Sequence, residues 1–182
     1  MGQESHWAQH APGLVITRAQ WADLDTIVSI EEDAIAWLRG RGLDPAEPPR
    51  PLREIYADRV RRAEVYIGWL DDKPVGMLTL QWADRQMWGD VPDDAVYVHG
   101  LMVRRDAAGQ QVGGRLLRWA AGMALAAGKT YVRLDCKADN PALRAYYERA
   151  GFALHGEVTL RNYTGARYEK RAREDADAPD AV

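Results

Sequence analysis

The chain has one cysteine, Cys136, no apolar run long enough to cross a membrane and no excess of basic residues. Each shortage removes a class of protein. A single cysteine cannot close an internal disulfide, which fits a reducing compartment. A membrane helix needs about 20 consecutive apolar residues, so no membrane role is expected. The formal net charge is −3, whereas nucleic-acid-binding domains are usually basic, so no nucleic-acid partner is expected. The start, "MGQESHWAQH", has neither the basic nor the apolar region of a signal peptide. It also lacks the Ser or Thr of a myristoylation signal, since His6 stands at that position. The expected location is the cytoplasm.

What is present is an ordinary globular composition. A chain of 182 residues, 47% apolar and 28% charged, suits one domain with a real core. Residues 1–12 are polar and read as a flexible segment, and residues 173–182 read as a disordered acidic tail. Between them, residues 13–172 show no linker and no internal repeat, so they are expected to form a single domain.

"GLVITRA" is β-branched and predicts a first strand. Leu24, Ile27, Val28, Ile30, Ala34 and Leu38 recur at helical spacing, and Gly40 and Gly42 mark the end of that helix. "DPAEPPRP" holds four prolines and must be extended or turning. "LREIYADRVRRAE" predicts a second helix. "VYIGWL", "DDKP" and "VGMLTLQW" read as strand, turn and strand. "ADRQMWGDVPDD" reads as a polar loop before the strand "AVYVHGLMV", whose two apolar faces suggest a central place. Val112–Ala126 is predicted helical, "TYVRLDC" a strand, and "DNPALRAYYERAGF" a helix with Asn140 as cap and Gly151 as stop. "FALHGEV" and "RYEKRA" are the final strands. A hairpin followed by a strand–helix–strand crossover, which is right-handed and parallel, gives a mixed sheet with helices on its faces, an α/β (mixed α+β) class.

One stretch between strand and helix, "RRDAAGQQVGGRLLRW", carries the chemistry. The first N–H groups of a helix lack partners and its dipole is positive there. Glycines let a ligand approach the backbone. The combination suits an anion such as a pyrophosphate. A plain connection with glycines for packing is the alternative. The Lys-Ser or Lys-Thr of a Walker loop is missing, and so is the G-x-G-x-x-G spacing of a dinucleotide fold.

"HGLMVRRDAAGQQVGGRLL" followed by "RLDCKADNPALRAYYERAGF" resembles the GNAT superfamily of N-acetyltransferases, and "WLRGRGLDPAEPP" resembles a bacterial subgroup of it. Asn140, Tyr147, Gly151 and Phe152 match that family's second motif in full. The glycine turn matches less well: Ala108 stands where the family has Arg or Gln, and Gln111 where it has its first glycine. The resemblance implies a GNAT fold, with a central mixed β-sheet splayed between strands 96–103 and 130–136. It also implies acetyl-CoA as acyl donor. Leu101, Met102 and Val103 would then pair with the pantetheine arm through their backbone. The turn residues Gly109, Gln110, Gln111, Val112, Gly113 and Gly114 would hold the pyrophosphate, with Arg104, Arg105 or Arg115 as charge partners. Asn140 would contact the cofactor arm near the thioester.

A lysine-type amine has a pKa near 10.4, so its attack on a thioester at neutral pH needs a base, and the departing thiolate needs a proton. Tyr147 stands at the family's acid position, with a packing role as the alternative. Alternation along the strand places Tyr97, His99, Leu101 and Val103 on one face, and His99 has a suitable side chain for a base. Asp135 is a second candidate, with Arg133 on its own face as a partner; ordered water is a third. The seven tryptophans include Trp37, Trp82 and Trp88 in segments that border the family's acceptor groove, although tryptophan is mostly a core residue. Asp84, Asp90, Asp93 and Asp94 give one loop a charge suited to a cationic amine, with a plain solvated loop as the alternative. The reading is an acetyl-CoA-dependent N-acetyltransferase for a small-molecule primary amine. A protein N-terminal or lysine acetyltransferase and a non-catalytic CoA-binding module are the alternatives. No metal is expected. A homodimer is the commonest closed assembly for such a chain.

Overall fold

The computed structural model describes residues 13–42, 48–161 and 163–173. The expected N-terminal segment, the first half of the proline loop and the acidic tail from residue 174 lie outside these residues. The described residues group into two compact units, each discontinuous in sequence. The first holds the residues up to Leu80 together with Gly100–Leu116; the second holds Gln81–His99 and the residues from Leu117 onward.

The first unit contains β1 (Leu14–Arg18), α1 (Leu24–Gly40), α2 (Leu52–Arg61), β2 (Val65–Leu70) and β3 (Lys73–Gln81, but for its last residue). It also takes the end of β4 (Ala95–Val103) and the start of α4 (Val112–Ala126). Strand order is β1-β2-β3-β4, and β1-β2 and β2-β3 are antiparallel. The β2-β3 turn is closed by Asp71 and Asp72, both at positive φ (48° and 61°). That is the turn whose twist suits a hairpin, and Asp tolerates it. Ile67 and Met77, paired in register, face Leu24, Ile27, Ile30 and Tyr56 in one apolar core. Gly68 and Gly76, the next pair, face the start of α4, where a Cβ on Gly76 would meet Val112 Cγ1 at 3.2 Å and Leu116 Cδ1 at 3.3 Å. The same Cβ would stand 2.7 Å from the Met102 carbonyl oxygen. Gly76 is therefore a spacer that lets the end of β4 and the first turn of α4 lie close to β3.

The second unit contains α3 (Arg85–Trp88), the first half of β4, the rest of α4, β5 (Tyr131–Lys137), α5 (Pro141–Arg149), β6 (Ala153–Leu160) and β7 (Tyr163–Arg171). Strand order is β4-β5-β7-β6. β4-β5 is parallel, from Ala95↔Tyr131 to Val98↔Leu134, and the other two pairs are antiparallel. Antiparallel and parallel pairing together give the mixed sheet that the element order implied.

α5 shows why its sequence is so well marked. Asn140 Oδ1 accepts the Leu143 N–H at 3.0 Å, and Pro141 fills the first helical position. At the other end the Phe152 N–H reaches the Tyr147 carbonyl at 3.0 Å and the Gly151 N–H reaches that of Glu148 at 3.0 Å. Gly151 lies at φ 84° between them. This is a Schellman cap, completed by the contact of the Phe152 and Tyr147 rings at 6.0 Å.

Three expectations change. The loop 82–94 is not plain: Asp84 caps the four-residue α3 through a 3.1 Å bond from the Met87 N–H, burying Met87 and Trp88. β7 begins at Tyr163 rather than at Arg167, so Tyr163 and Gly165 belong to the sheet. Gly100 adopts φ 55°, which interrupts the alternation of β4. The faces of Tyr97 and His99 therefore follow from alternation, but those of Leu101 and Val103 do not.

Candidate functional site

The turn expected to bind an anion lies in the first unit. β4 ends at Val103, and the Arg104 N–H is held by the Val75 carbonyl at 2.8 Å. A single turn of 3-10 helix, Arg105–Ala107, follows. Gly109 at φ 84° and Gln111 at φ 56° then swing the chain into α4, whose first hydrogen bond runs from the Arg115 N–H to the Gln111 carbonyl at 3.0 Å. Ala108, Gly109, Gln110 and Gln111 are exposed, whereas Val112 and Gly113 are buried and Gly114 is half-buried. The turn thus presents an open backbone at the positive end of a helix of 15 residues. Gln111 holds a left-handed angle that glycine adopts freely and other residues adopt at a cost.

Arg104, offered by the sequence as a phosphate partner, is committed elsewhere. Its guanidinium pairs with Asp33 and donates to Ser29, both on α1. Arg105 stacks over Trp37 at 4.4 Å, and Arg41 stacks on the same indole at 4.6 Å. Leu101, Met102 and Val103 are half-buried at the end of β4.

The acid and base candidates lie in the second unit. Arg133 packs with Tyr97 and pairs with Glu169, its neighbour in register, so odd-numbered residues of β4, β5 and β7 share one face. His99 and Asp135 belong to that face and directly follow the last β4-β5 pair. His99 Nε2 stands 3.6 Å from Asp84 Oδ2, and its Nδ1 stands 3.9 Å from Asp135 Oδ1. His99 Nε2 is buried and has no hydrogen-bond partner among the described residues. Asp135 Oδ2 accepts a 2.6 Å hydrogen bond from the Tyr163 hydroxyl. The side chains of His99, Asp84 and Asp135 are 24%, 11% and 13% exposed.

Arg133 does not pair with Asp135, as the sequence allowed. It is buried and held by Glu169 at 2.7 Å, Asp94 at 3.0 Å and the Tyr97 hydroxyl at 3.2 Å, against the Trp88 ring. Its role is structural, and Asp135 is left to Tyr163 and His99.

Tyr147 is buried on α5 against Tyr168, at 6.1 Å between rings, and Phe152. Tyr168 is even-numbered on β7, so Tyr147 and His99 come from opposite faces of the sheet. Burial, then the neighbouring Cys136, Tyr146 and Asp135, holds the Tyr147 hydroxyl well above the usual tyrosine range. It stays protonated across the physiological range, as a proton donor must. Tyr146 is only half-buried and packs edge-on against Tyr147 at 5.4 Å. Asn140 spends its Oδ1 on the helix cap, which leaves its amide N–H groups as donors.

Against known proteins, the Acetyltransferase (GNAT) family model matches residues 18–152. The chain belongs to the GNAT acetyltransferase family. It is 30% identical over 154 residues to the uncharacterized N-acetyltransferase YesJ of Bacillus subtilis (strain 168), covering 80% of this chain and 85% of that one. Among solved structures it is similar to a GNAT-family acetyltransferase of Listeria monocytogenes 4b F2365, with TM-score 0.71, 22% identity, and 87% and 94% of the two chains covered. It is also similar to AAC(6')-Ib in complex with ribostamycin and coenzyme A, with TM-score 0.71, 19% identity, and 91% and 99% covered. These two likenesses are of fold. As a GNAT member the protein is an acyltransferase that uses acetyl-CoA, and the non-catalytic alternative falls away.

Sequence reasoning about this GNAT chain missed Tyr163 and the direct partnership of Asp84 with His99. Asp84 was legible only as loop charge, because a four-residue helix leaves no periodicity to read. Of the tryptophans expected at the groove, Trp88 is core, while Trp37 and Trp82 are among the exposed large apolar side chains. No helix among the described residues is long and apolar enough to cross a membrane.

Proposed function

We propose that this GNAT enzyme acetylates a small-molecule primary amine that arrives as a cation, with His99 as general base and Tyr147 as general acid. The observation that carries this reading is the partly buried imidazole set between two carboxylates, Asp84 and Asp135. Carboxylates attract an ammonium ion, and an unpartnered imidazole nitrogen beside them can take its proton. The freed amine then attacks the thioester carbonyl, and the Tyr147 hydroxyl gives its proton to the departing thiolate. In the other unit, the backbone of Gly109, Gln110, Gln111, Val112, Gly113 and Gly114 would hold the pyrophosphate of acetyl-CoA, with Arg105 and Arg115 as charge partners. Leu101, Met102 and Val103 would pair with the pantetheine arm. The open backbone and the length of α4 support that assignment.

Acetyl-CoA turnover should be measured across two panels, one of small mono- and polyamines and one of peptides with free N-termini or lysines. The proposal expects turnover confined to small amines. Faster turnover with peptides would favour the protein-directed alternative.

A further inference from the structure

We infer that Tyr163 is a positioning residue for His99, acting through Asp135, and that Gly165 exists to make room for that contact. The inference rests on the reading of His99 as the base, but it concerns side chains that the family motifs do not include.

The geometry is a relay along one face of the second unit. Tyr163 and Gly165 are two residues apart on β7, so they share the face that carries Asp135 and His99. The Tyr163 hydroxyl donates to Asp135 Oδ2 at 2.6 Å, short enough to be a strong charge-assisted bond. That bond fixes the carboxylate plane and turns Oδ1 toward His99 Nδ1, 3.9 Å away. Such contacts are often long without substrate and tighten in the working complex. An anionic oxygen facing Nδ1 favours the tautomer that carries its proton there. Nε2 is then the basic nitrogen, and Nε2 is the atom with no partner, on the side of Asp84.

Gly165 supplies an independent observation. A Cβ on it would lie 2.9 Å from Tyr163 Cε1, 3.0 Å from Met87 Cε and 3.2 Å from Asp135 Oδ2. Gly165 is not among the glycines at positive φ. Alanine could therefore take its backbone conformation, and what the position excludes is the methyl group. The two groups it would strike first and last are the donor and acceptor of the Tyr163–Asp135 bond.

Other charged side chains of this face are already engaged. Arg133 is bound to Glu169 and Asp94, and Arg167, which lies opposite Asp135 in register, has its guanidinium over the Trp88 ring at 5.4 Å. Among the described residues, Tyr163 is the group that holds Asp135 by a direct side-chain hydrogen bond.

The test is the tautomer of His99, read by 15N NMR of the imidazole nitrogens in the full-length protein. His99→Gln identifies the signal among the four histidines. The wild type is expected to carry its proton on Nδ1. Tyr163→Phe, which keeps the ring and removes only the donor, should erase that preference, and so should Asp135→Asn. Gly165→Ala should do the same with Tyr163 intact. In turnover, Tyr163→Phe should lower kcat about tenfold and leave the KM for acetyl-CoA unchanged. An unchanged Nδ1–H tautomer in Tyr163→Phe would overturn the inference. The tautomer is read without any acceptor, so an absence of amine turnover in the wild type would defeat the proposed function and not this relay.

Discussion

His99 Nε2 stands 3.6 Å from Asp84 Oδ2, at the mouth of the turn that opens α3. The carboxylate that caps α3 is thus also the one nearest the unpartnered imidazole nitrogen. Asparagine caps a helix about as well as aspartate, so Asp84→Asn should remove the charge and spare the fold. If Asp84 draws in a cationic amine, the substitution should raise the acceptor KM by about 10- to 100-fold, the equivalent of a lost charge-assisted hydrogen bond. The KM for acetyl-CoA should not move. Steady-state kinetics with the best amine checks this, and an unchanged acceptor KM would remove Asp84 from the site.

Tyr147 is packed by its ring and offers chemistry only through its hydroxyl. Tyr147→Phe keeps the contacts with Phe152 and Tyr168 and the Schellman cap, which uses backbone. The melting temperature should therefore stay near that of the wild type while kcat falls by about a hundredfold to ten-thousandfold, the usual worth of general acid catalysis. A fall of less than about threefold would leave Tyr147 as a core residue.

Much of this was legible from local signals. Asn140, Pro141 and Gly151 announce α5 because caps are short-range chemistry, and the Asp71-Asp72 hairpin announces itself in the same way. Val112–Ala126 is helical over the predicted residues. What was not legible depends on side chains meeting across strands. Asp135 precedes Tyr163 by 28 residues, and only the β5-β7 register brings them together. Arg133 was assigned to the nearest acid on its own strand, whereas the register gives it Glu169. Gly100 defeated the reading of β4 because one left-handed residue cancels a period of two, and nothing in "VHGLMV" marks that angle in advance.

Gln111 at φ 56° makes the imperfect turn testable. A left-handed angle costs a non-glycine residue roughly 1–2 kcal/mol, which offsets glycine's entropic cost of roughly 0.5–1 kcal/mol. Gln111→Gly should therefore keep or raise thermal stability and tighten CoA binding. If the Gln111 amide instead donates to a phosphate, the same change should weaken binding by about 1.5–3 kcal/mol. Calorimetry with CoA and with pantetheine separates the two, since only CoA carries the pyrophosphate.

Cys136 is buried, and burial followed by the charge of Asp135 pushes its thiol from 9.0 up to about 11. The folded state therefore keeps its proton at pH values where the unfolded chain releases it. The thiol leaves stability unchanged below pH 9 and lowers it as pH rises from 9 toward 11. Urea unfolding at about pH 8 and about pH 10.5 should show a smaller alkaline loss in Cys136→Ser than in the wild type. Equal losses would mean that the thiol titrates alike in both states.

The central claim is that His99 takes the proton from the amine. The pH–rate profile of acetyl transfer, measured as kcat/KM for one amine in the wild type and in His99→Gln, tests it most directly. Using a primary amine that stays protonated over the range keeps its own titration out of the profile while leaving the proton for His99 to take. The account predicts an ascending limb in the wild type that disappears in His99→Gln, with the plateau rate reduced about a hundredfold or more. A limb of the same position and height in both proteins would contradict it and assign the proton transfer to Asp135 or to water.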